Sequence, residues 1–301
     1  MSSDVSSNKQ SLHYILRSGL AGGVAGCVAK TVVAPLDRVK ILFQASNQDF
    51  RQYAGTWSGA FRAGGEIYRE SGLRGLLQGH SATLLRIFPY AAIKFMAYDQ
   101  LENLLMPTRA DQTNFRRFTA GALSGMTSVF FTYPLELIRV RMAFSTRSAS
   151  SNTSAEPYRR PSFNSVISRI YHEGTTQPSS GPRATTLFDR FPILKFYRGF
   201  SVTITGMIPY AGTSFLTWGF LHAKLLPPPS PGQVKSKPTP MADLAIGAIA
   251  GAISQTASYP FEVVRRRMQV GGLTQPDRWM HWSETVRGYG VLTDGADFMS
   301  G

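Results

Sequence analysis

The sequence contains only one cysteine, and this scarcity excludes two kinds of site. Cys27 has no second cysteine with which to form a disulfide within the chain, and a zinc site built from several cysteines is also excluded. Acidic residues are few as well: 18 Asp and Glu stand against 32 Lys and Arg, which gives a net charge of +14. This balance favours an anionic partner, such as a nucleic acid, an acidic membrane surface or a phosphorylated solute.

Long apolar runs are also missing, and the mean hydropathy is −0.10. Hydropathy alone would therefore favour a soluble protein. The first thirteen residues are polar and lack the apolar core of a secretory signal. No GxxxxGK[ST] phosphate loop, HExxH zinc motif or GxSxG nucleophile motif occurs. The sequence therefore predicts a protein that is not an enzyme and that uses no cofactor and no metal.

One pattern is present three times, as "PLDRVK", "PLELIR" and "PFEVVR", which begin at Pro35, Pro134 and Pro260. Each copy has an acid two residues after the proline and a base five residues after it. Two glycines four residues apart precede each proline, so the copies agree at five positions and indicate an internal repeat. The glycine pairs are Gly22 and Gly26, Gly121 and Gly125, and Gly247 and Gly251.

The repeat unit also has a second half, which follows the proline pattern and is recognisable in two of the three copies. "GHSATLLRIFPYA" begins at Gly79 and "GFSVTITGMIPYA" at Gly199, and short "ESG" and "HEG" segments precede them. The unit is thus a glycine-rich segment with a proline, a polar stretch, an acid–glycine turn and a second apolar segment.

The glycine-rich segments are long enough to be membrane helices. Residues 15–44 would extend about 45 Å as an α-helix, which exceeds the ~30 Å of a hydrocarbon core. Glycines four residues apart allow close helix contact in membranes, and Pro35 predicts a kink. Charges in such helices should face a water-filled interior, so each helix needs only one apolar side. The alternative is a soluble repeat protein with glycine-rich helices.

These repeats resemble the mitochondrial carrier family, whose signature is Pro-x-[Asp/Glu]-x-x-[Lys/Arg], then an acid–glycine pair and an aromatic–basic–glycine triplet. "YRG" at Tyr197–Gly199 matches the triplet, whereas the first repeat departs with "LQG" at Leu77–Gly79. The resemblance extends from about Tyr14 to Arg287. It implies an all-α, multi-pass protein of the mitochondrial inner membrane, with six tilted helices in three pairs. A matrix loop with a short surface helix joins the two helices of each pair.

The resemblance also implies the organisation of the chain. The second repeat has an enlarged Ser/Thr/Pro-rich matrix loop at 145–190, in which residues 163–174 can form the surface helix. The likeness ends after Arg287, so the third repeat is expected to be truncated, with five of six membrane helices present. The expected segments are a polar N-terminal tail, 1–13, and carrier repeats at 14–108, 109–230 and 231–301.

The charges that follow the three prolines form a gate in the family. There they pair between neighbouring helices and close the cavity on the matrix side. Partly exposed ion pairs contribute under ~1 kcal/mol each, which suits a gate that opens and closes in alternating access. A static brace is the alternative. Transferred to this sequence, the pairs are Asp37–Arg139, Glu136–Arg265 and Glu262–Lys40.

Two cations interrupt the threefold pattern, as binding of an asymmetric substrate requires. Lys30 lies five residues before the first signature proline, where the other repeats have Val129 and Gln255. Arg86 is equivalent to Gly206 in the second repeat. Both cations could bind phosphate groups, arginine through paired hydrogen bonds and lysine as a point charge.

By resemblance, Arg86 and the pair Gly206–Met207 occupy the first two substrate contact points of the family. A glycine followed by an aliphatic residue is typical of carriers for adenine-containing substrates. Glycine leaves room for a flat base and methionine offers it a polarisable surface. Simple helix packing is the alternative explanation of this pair.

Five other residues are secondary candidates. Lys94 is a further substrate cation, unless its ammonium group reaches toward the membrane surface. Tyr90 and Tyr210 either stack on a base or pack between helices. Arg266 and Arg267 either solvate the matrix mouth or attract phosphates or cardiolipin.

Within the family, residues 14–44 and 79–100 resemble the coenzyme A carriers of the Graves disease carrier group. The resemblance implies a monomer that transports coenzyme A, or a related adenine nucleotide, across the mitochondrial inner membrane. The alternative is a carrier remnant that does not transport and acts by interaction. Nucleic-acid binding is not predicted, because the cations occur singly at repeat positions and do not form a stripe.

Overall fold

The computed structural model describes residues 4–53, 55–107, 113–146, 161–173, 191–225 and 240–274. Every regular element in these ranges is a helix, which confirms the predicted all-α class. None of the described helices has both the length and the apolar character needed to cross a membrane. The α-helices are α1 (Asp4–Gln44), α2 (Trp57–Leu76), α3 (His80–Leu105), α4 (Asn114–Phe144), α5 (Phe163–Tyr171), α6 (Phe200–Leu225) and α7 (Pro240–Thr274), with 3-10 helices at Gln48–Tyr53 and Pro192–Tyr197.

Helix α1 ends at Gln44, as the sequence predicts, and includes residues 4–13, which the sequence analysis sets apart as a polar tail. The prolines Pro35, Pro134 and Pro260 lie inside α1, α4 and α7, so none of them ends its helix. The predicted turn at "ESG" is visible as a break in α2, where Gly72 has φ 65° and ψ −168°. The carrier pattern also predicts a matrix surface helix from Trp282, and both this segment and the end of the third repeat lie outside the described residues.

The described residues divide into two compact units. The first unit contains helices α1 to α5 and the described residues from Gln269 onward. Side chains of α1, α2 and α4 form its main core, together with Phe50 and Val270. The most buried members from the three helices are Val39, Ile41, Leu42, Ala63, Ile67, Val140 and Ala143.

Helix α5 confirms the helix predicted within residues 163–174. Val166 and Ile170 lie four residues apart, so they share one face of the helix. Both side chains are buried against Leu137 and Met142 of α4. Burial of an aliphatic side chain contributes about 1.5–3 kcal/mol, so these contacts hold a short helix that would be marginal alone.

The second unit is formed by α6 and by α7 as far as Met268. Val202 of α6 is buried against Val264 and Met268 of α7. The two helices approach closely at Gly206, where an added Cβ would lie only 2.9 Å from the Cβ of Phe261. The glycine therefore sets the separation of these helices.

The glycines that precede the prolines are expected to allow close contact between helices. A Cβ added at Gly22, Gly26 or Gly121 would meet no atom of the described chain within 4 Å. The described part of the chain therefore shows no close helix contact at these three positions. Gly23 makes the close approach instead, since its added Cβ would lie 2.8 Å from the ring of Phe88 on α3. One residue changes the helix face by about 100°, because a turn contains 3.6 residues.

The backbone conformation explains why both copies of the second half of the unit begin with glycine. Gly79 and Gly199 have φ values of 86° and 82°, in the left-handed region that glycine enters without strain. Gly79 also packs against the backbone of α4, because an added Cβ would lie 2.9 Å from the carbonyl oxygen of Arg139. The left-handed backbone at Gly79 and Gly199 therefore explains why the sequence repeats glycine at these two positions.

Candidate functional site

The structure brings together Asp37 and Arg139, a pair that the resemblance implies. Arg139 Nη2 of α4 donates to Asp37 Oδ2 of α1 at 2.8 Å. The arginine and aspartate side chains are 16% and 26% exposed, respectively. This is a charge-assisted hydrogen bond in partly buried surroundings, where solvent screens the charges less than on an open surface. The pairs Glu136–Arg265 and Glu262–Lys40 stay predictions.

Side chains of the first repeat anchor the end of the helix that carries Arg139. Buried Arg38 donates to the carbonyl oxygens of Ala143 and Ser145, each at 3.2 Å. Gln78 Nε2 also donates to the carbonyl oxygen of Ser145, at 3.1 Å. The last carbonyls of a helix lack partners within the helix, and a cation there is favourable. The anchor explains the glutamine in "LQG", because its amide also donates to the carbonyl oxygen of Met142 in α4 at 2.7 Å.

Arg38 is not among the site residues that the sequence predicts. The signal available was its position, because a basic residue directly follows the signature acid in the first repeat alone. Its guanidinium also donates to the carbonyl oxygen of Gly75, which lies near the end of α2. One buried guanidinium therefore binds two carbonyl groups at the end of α4 and one near the end of α2.

Arg86 contacts a residue that the sequence analysis assigned to the gate. Its Nη1 atom lies 3.1 Å from Glu136 Oε2 on α4. Its Nε donates to Thr132 Oγ1 at 3.4 Å, and its guanidinium carbon lies 5.4 Å from the ring centroid of Tyr90. A predicted substrate cation and a predicted gate acid thus form one ion pair within the first unit.

The second unit contains a pocket of about 220 Å³ between α6 and α7. Three predicted substrate residues, Gly206, Met207 and Tyr210, lie along its α6 side. Glu262 and Arg265, both predicted gate residues, lie on the α7 side. An apolar and aromatic wall beside one cation and one carboxylate suits a flat, partly polar ring. The remaining lining residues are Val202, Thr203, Gln255, Ser258 and Phe261.

Gly206 illustrates both explanations that the sequence left open. It borders the pocket, and it also allows the backbone of α6 to approach Phe261.

Two other candidate cations, Lys30 on α1 and Lys94 on α3, are exposed. Tyr90 is half-buried beside Arg86. The described part of the chain contains no cluster of His, Cys, Asp and Glu that could hold a metal ion.

A buried charged network links α4 to the loop that follows it. Glu173 forms ion pairs with Arg141 at 2.8 Å and with Arg198 at 2.9 Å, and all three side chains are at most 6% exposed. Burial lowers the pKa of Arg198 to about 10, with Glu173 opposing this effect and Arg141 adding to it. Arg198 therefore remains charged at neutral pH. The network explains the "HEG" and "YRG" segments, whose acid and base meet here.

Hydrogen bonds from neighbouring groups complete this network. Tyr133 donates its hydroxyl proton to the carbonyl oxygen of Arg198 at 2.8 Å and accepts from Gln269 Nε2 at 3.1 Å. Lys195 donates to the carbonyl oxygen of Glu173 at 2.7 Å. Arg141 Nε donates to the carbonyl oxygen of Gln269 at 3.1 Å. The region is therefore braced by both charges and backbone groups.

Comparison with known proteins finds similarity along most of the chain. A profile described as "Mitochondrial carrier protein" matches residues 12–109, 110–227 and 236–292. "Mitochondrial carrier protein LEU5" of Saccharomyces cerevisiae is 42% identical, with 93% of this chain and 80% of that protein covered. Human "Solute carrier family 25 member 16" is 41% identical, with 86% and 71% covered. Human "Mitochondrial coenzyme A transporter SLC25A42" is 38% identical, with 91% and 76% covered.

Proposed function

Because the chain belongs to the mitochondrial carrier family, whose members are inner-membrane transporters and not enzymes, we propose that it transports coenzyme A. A related adenine nucleotide is the nearest alternative substrate. The observation that carries this proposal is the similarity to a protein named as a mitochondrial coenzyme A transporter, which extends over 91% of this chain. The proposed transport is by alternating access in a multi-pass membrane protein.

The chemistry of the candidate site supports an anionic adenine-containing substrate. Coenzyme A carries negatively charged phosphate groups, and a chain with a net charge of +14 attracts such a ligand. In the first unit we assign phosphate binding to Arg86, with exposed Lys30 and Lys94 as further cations. In the second unit we assign adenine binding to the pocket at Gly206, Met207 and Tyr210. Methionine and tyrosine both offer polarisable surfaces to an aromatic ring.

The gate is the second part of the proposal. We assign gating to Asp37 and Arg139, because a contact of 2.8 Å between partly exposed side chains suits a pair that forms and breaks during transport. The other two pairs would act in the same way. A monomeric state and a contact with cardiolipin at Arg266 and Arg267 stay predictions.

The test is uptake of labelled coenzyme A by the purified full chain in liposomes. We expect saturable uptake that unlabelled coenzyme A inhibits more strongly than ADP or ATP does. We expect Arg86→Ala to reduce uptake about 10- to 100-fold, because a hydrogen bond to a charged group contributes ~1.5–3 kcal/mol. Arg86→Lys should restore part of the activity, since lysine keeps the charge and loses the paired donors.

Arg69→Ala is the matched control, because Arg69 is an exposed arginine of α2 whose loss changes the net charge equally. It should leave uptake near the wild-type value. Uptake by Arg86→Ala within about twofold of wild type would contradict the assignment of this residue. A wild-type chain that transports no adenine-containing compound would contradict the function itself.

A further inference from the structure

The contact between Arg86 and Glu136 joins two groups that the proposed function uses separately. Arg86 is assigned to substrate phosphate, and Glu136 is one of the acids that follow the signature prolines. Their side chains lie 3.1 Å apart, with Arg86 21% exposed and Glu136 3% exposed. The guanidinium is thus accessible from solvent, while its carboxylate partner is almost completely buried.

The arginine is held in this position by more than the carboxylate. Its Nε donates to the hydroxyl of Thr132, which lies one turn before Glu136 on α4. That hydroxyl in turn donates to the carbonyl oxygen of Ser128 at 2.7 Å. On α3 itself, Tyr90 lies one turn after Arg86 and places its ring 5.4 Å from the guanidinium carbon. Two nitrogen atoms of the guanidinium, Nη1 and Nε, therefore face acceptor oxygens on α4. Phosphate oxygens are acceptors of the same kind.

We propose that a substrate phosphate competes directly with Glu136 for Arg86. The statement rests on the proposed function, because it assigns the phosphate to the same arginine. A guanidinium binds carboxylate and phosphate through the same planar donors. The Nη1 atom that faces Glu136 Oε2 at 3.1 Å is therefore the donor for which the two anions compete. Binding of the phosphate removes a cationic partner from a carboxylate that is 3% exposed. The conformation with that carboxylate buried then becomes less favourable.

The exchange gives the carrier a direct link between occupancy and conformation. A ligand shifts a conformational equilibrium only through its differential interaction with the two states. In the proposed exchange, the phosphate binds Nη1 of Arg86 where the Arg86–Glu136 pair is broken. Arg86 is therefore a coupling residue as well as a binding residue, and Glu136 is the internal competitor of the substrate.

The exchange predicts that removal of the internal competitor strengthens anion binding. The apparent dissociation constant equals the intrinsic value divided by the fraction of protein in the competent state. If the pair is formed in about 80–90% of molecules, Glu136→Gln lowers the dissociation constant about 5- to 10-fold. A residue that merely braces the fold would lower stability without strengthening ligand binding.

The experiment is calorimetric titration of the full chain in detergent with coenzyme A and, separately, with inorganic pyrophosphate. Glu136→Gln should bind both ligands about 5- to 10-fold more tightly than wild type. Glu102→Gln is the charge-matched control on the helix of Arg86, and it should leave both affinities near wild type. In the double variant Arg86→Ala with Glu136→Gln, binding should be as weak as in Arg86→Ala alone.

Pyrophosphate tests the competition for Arg86 independently of coenzyme A transport. It has no adenine group, so its binding depends only on the interaction of its phosphates with Arg86. If coenzyme A binds to no variant while pyrophosphate binds more tightly to Glu136→Gln, the function is wrong and the competition stands. If Glu136→Gln binds both ligands no more tightly than wild type, the competition is wrong. Should Glu136→Gln fail to fold, Glu136→Asp withdraws the carboxylate by one methylene and should still strengthen pyrophosphate binding. No gain with that variant overturns the proposal.

Discussion

Reversing the charges of Asp37 and Arg139 tests whether their contact acts in the transport cycle. Asp37→Arg places two guanidinium groups beside each other, and Arg139→Asp places two carboxylates there. Each single variant should slow coenzyme A uptake, because like charges replace an N–O contact of 2.8 Å. The double variant restores opposite charges at the interface of α1 and α4, so it should recover part of the uptake.

The geometry of the pair sets the expected magnitude. Two unit charges about 4 Å apart interact by about 4 kcal/mol at an effective dielectric constant of 20. Desolvation and the ordering of two side chains offset much of this energy. The pair is 16% and 26% exposed, between the surface pairs worth under ~1 kcal/mol and the buried pairs whose rupture costs about 3–5 kcal/mol. We expect a coupling energy of about 1–2 kcal/mol, which corresponds to a 5- to 30-fold change in a conformational equilibrium.

The assay is the initial rate of coenzyme A uptake by all four proteins reconstituted at equal density. A double-mutant cycle isolates the interaction of the two residues from their separate effects. The control cycle is Glu70→Arg with Arg69→Glu, two exposed neighbours on α2 that should show little coupling because adjacent helical residues do not face each other. A double variant no faster than the slower single variant would refute the reasoning.

Two further predictions concern stability, measured as the melting temperature of the purified protein in detergent. Glu173→Gln removes the carboxylate between two buried arginines, which should cost about 3–5 kcal/mol and lower Tm by at least about 6 °C. The control is Glu70→Gln at an exposed position. Equal Tm values for the two variants would contradict the buried network. Gly79→Ala forces alanine into φ 86° and places its Cβ 2.9 Å from the Arg139 carbonyl. It should lower Tm more than Gly55→Ala, where φ is 95° and a Cβ meets nothing within 4 Å, and an equal effect would show that backbone strain alone matters.

The helical class, the repeat and the family follow from local features of the sequence. A proline, an acid and a base at fixed offsets identify the signature without any knowledge of packing. The predicted end of α1 at Gln44 and the predicted surface helix near Phe163 both agree with the structure. Local patterns succeed here because helix formation depends on residues within a few turns of one another.

The glycine pairs mark the limit of such patterns. Their spacing correctly suggested one helix face, yet spacing alone does not say which face another helix covers. Among the described residues, Gly23 packs against Phe88, whereas no atom lies within 4 Å of a Cβ added at Gly22 or Gly26. The direction of a helix face relative to its neighbour is a property of tertiary packing, in which a shift of one residue changes the contact.

The sequence by itself determined which charges exist and which repeat positions they occupy, whereas the tertiary structure decided their partners. Arg86 and Glu136 are fifty residues apart in the chain, and nothing local connects a substrate cation to a gate acid. The ion pairs of Glu173 likewise join segments whose motifs had served only to identify the family. Ion pairs form between side chains that helix packing brings within about 4 Å, a distance much shorter than the uncertainty of any placement made from sequence spacing.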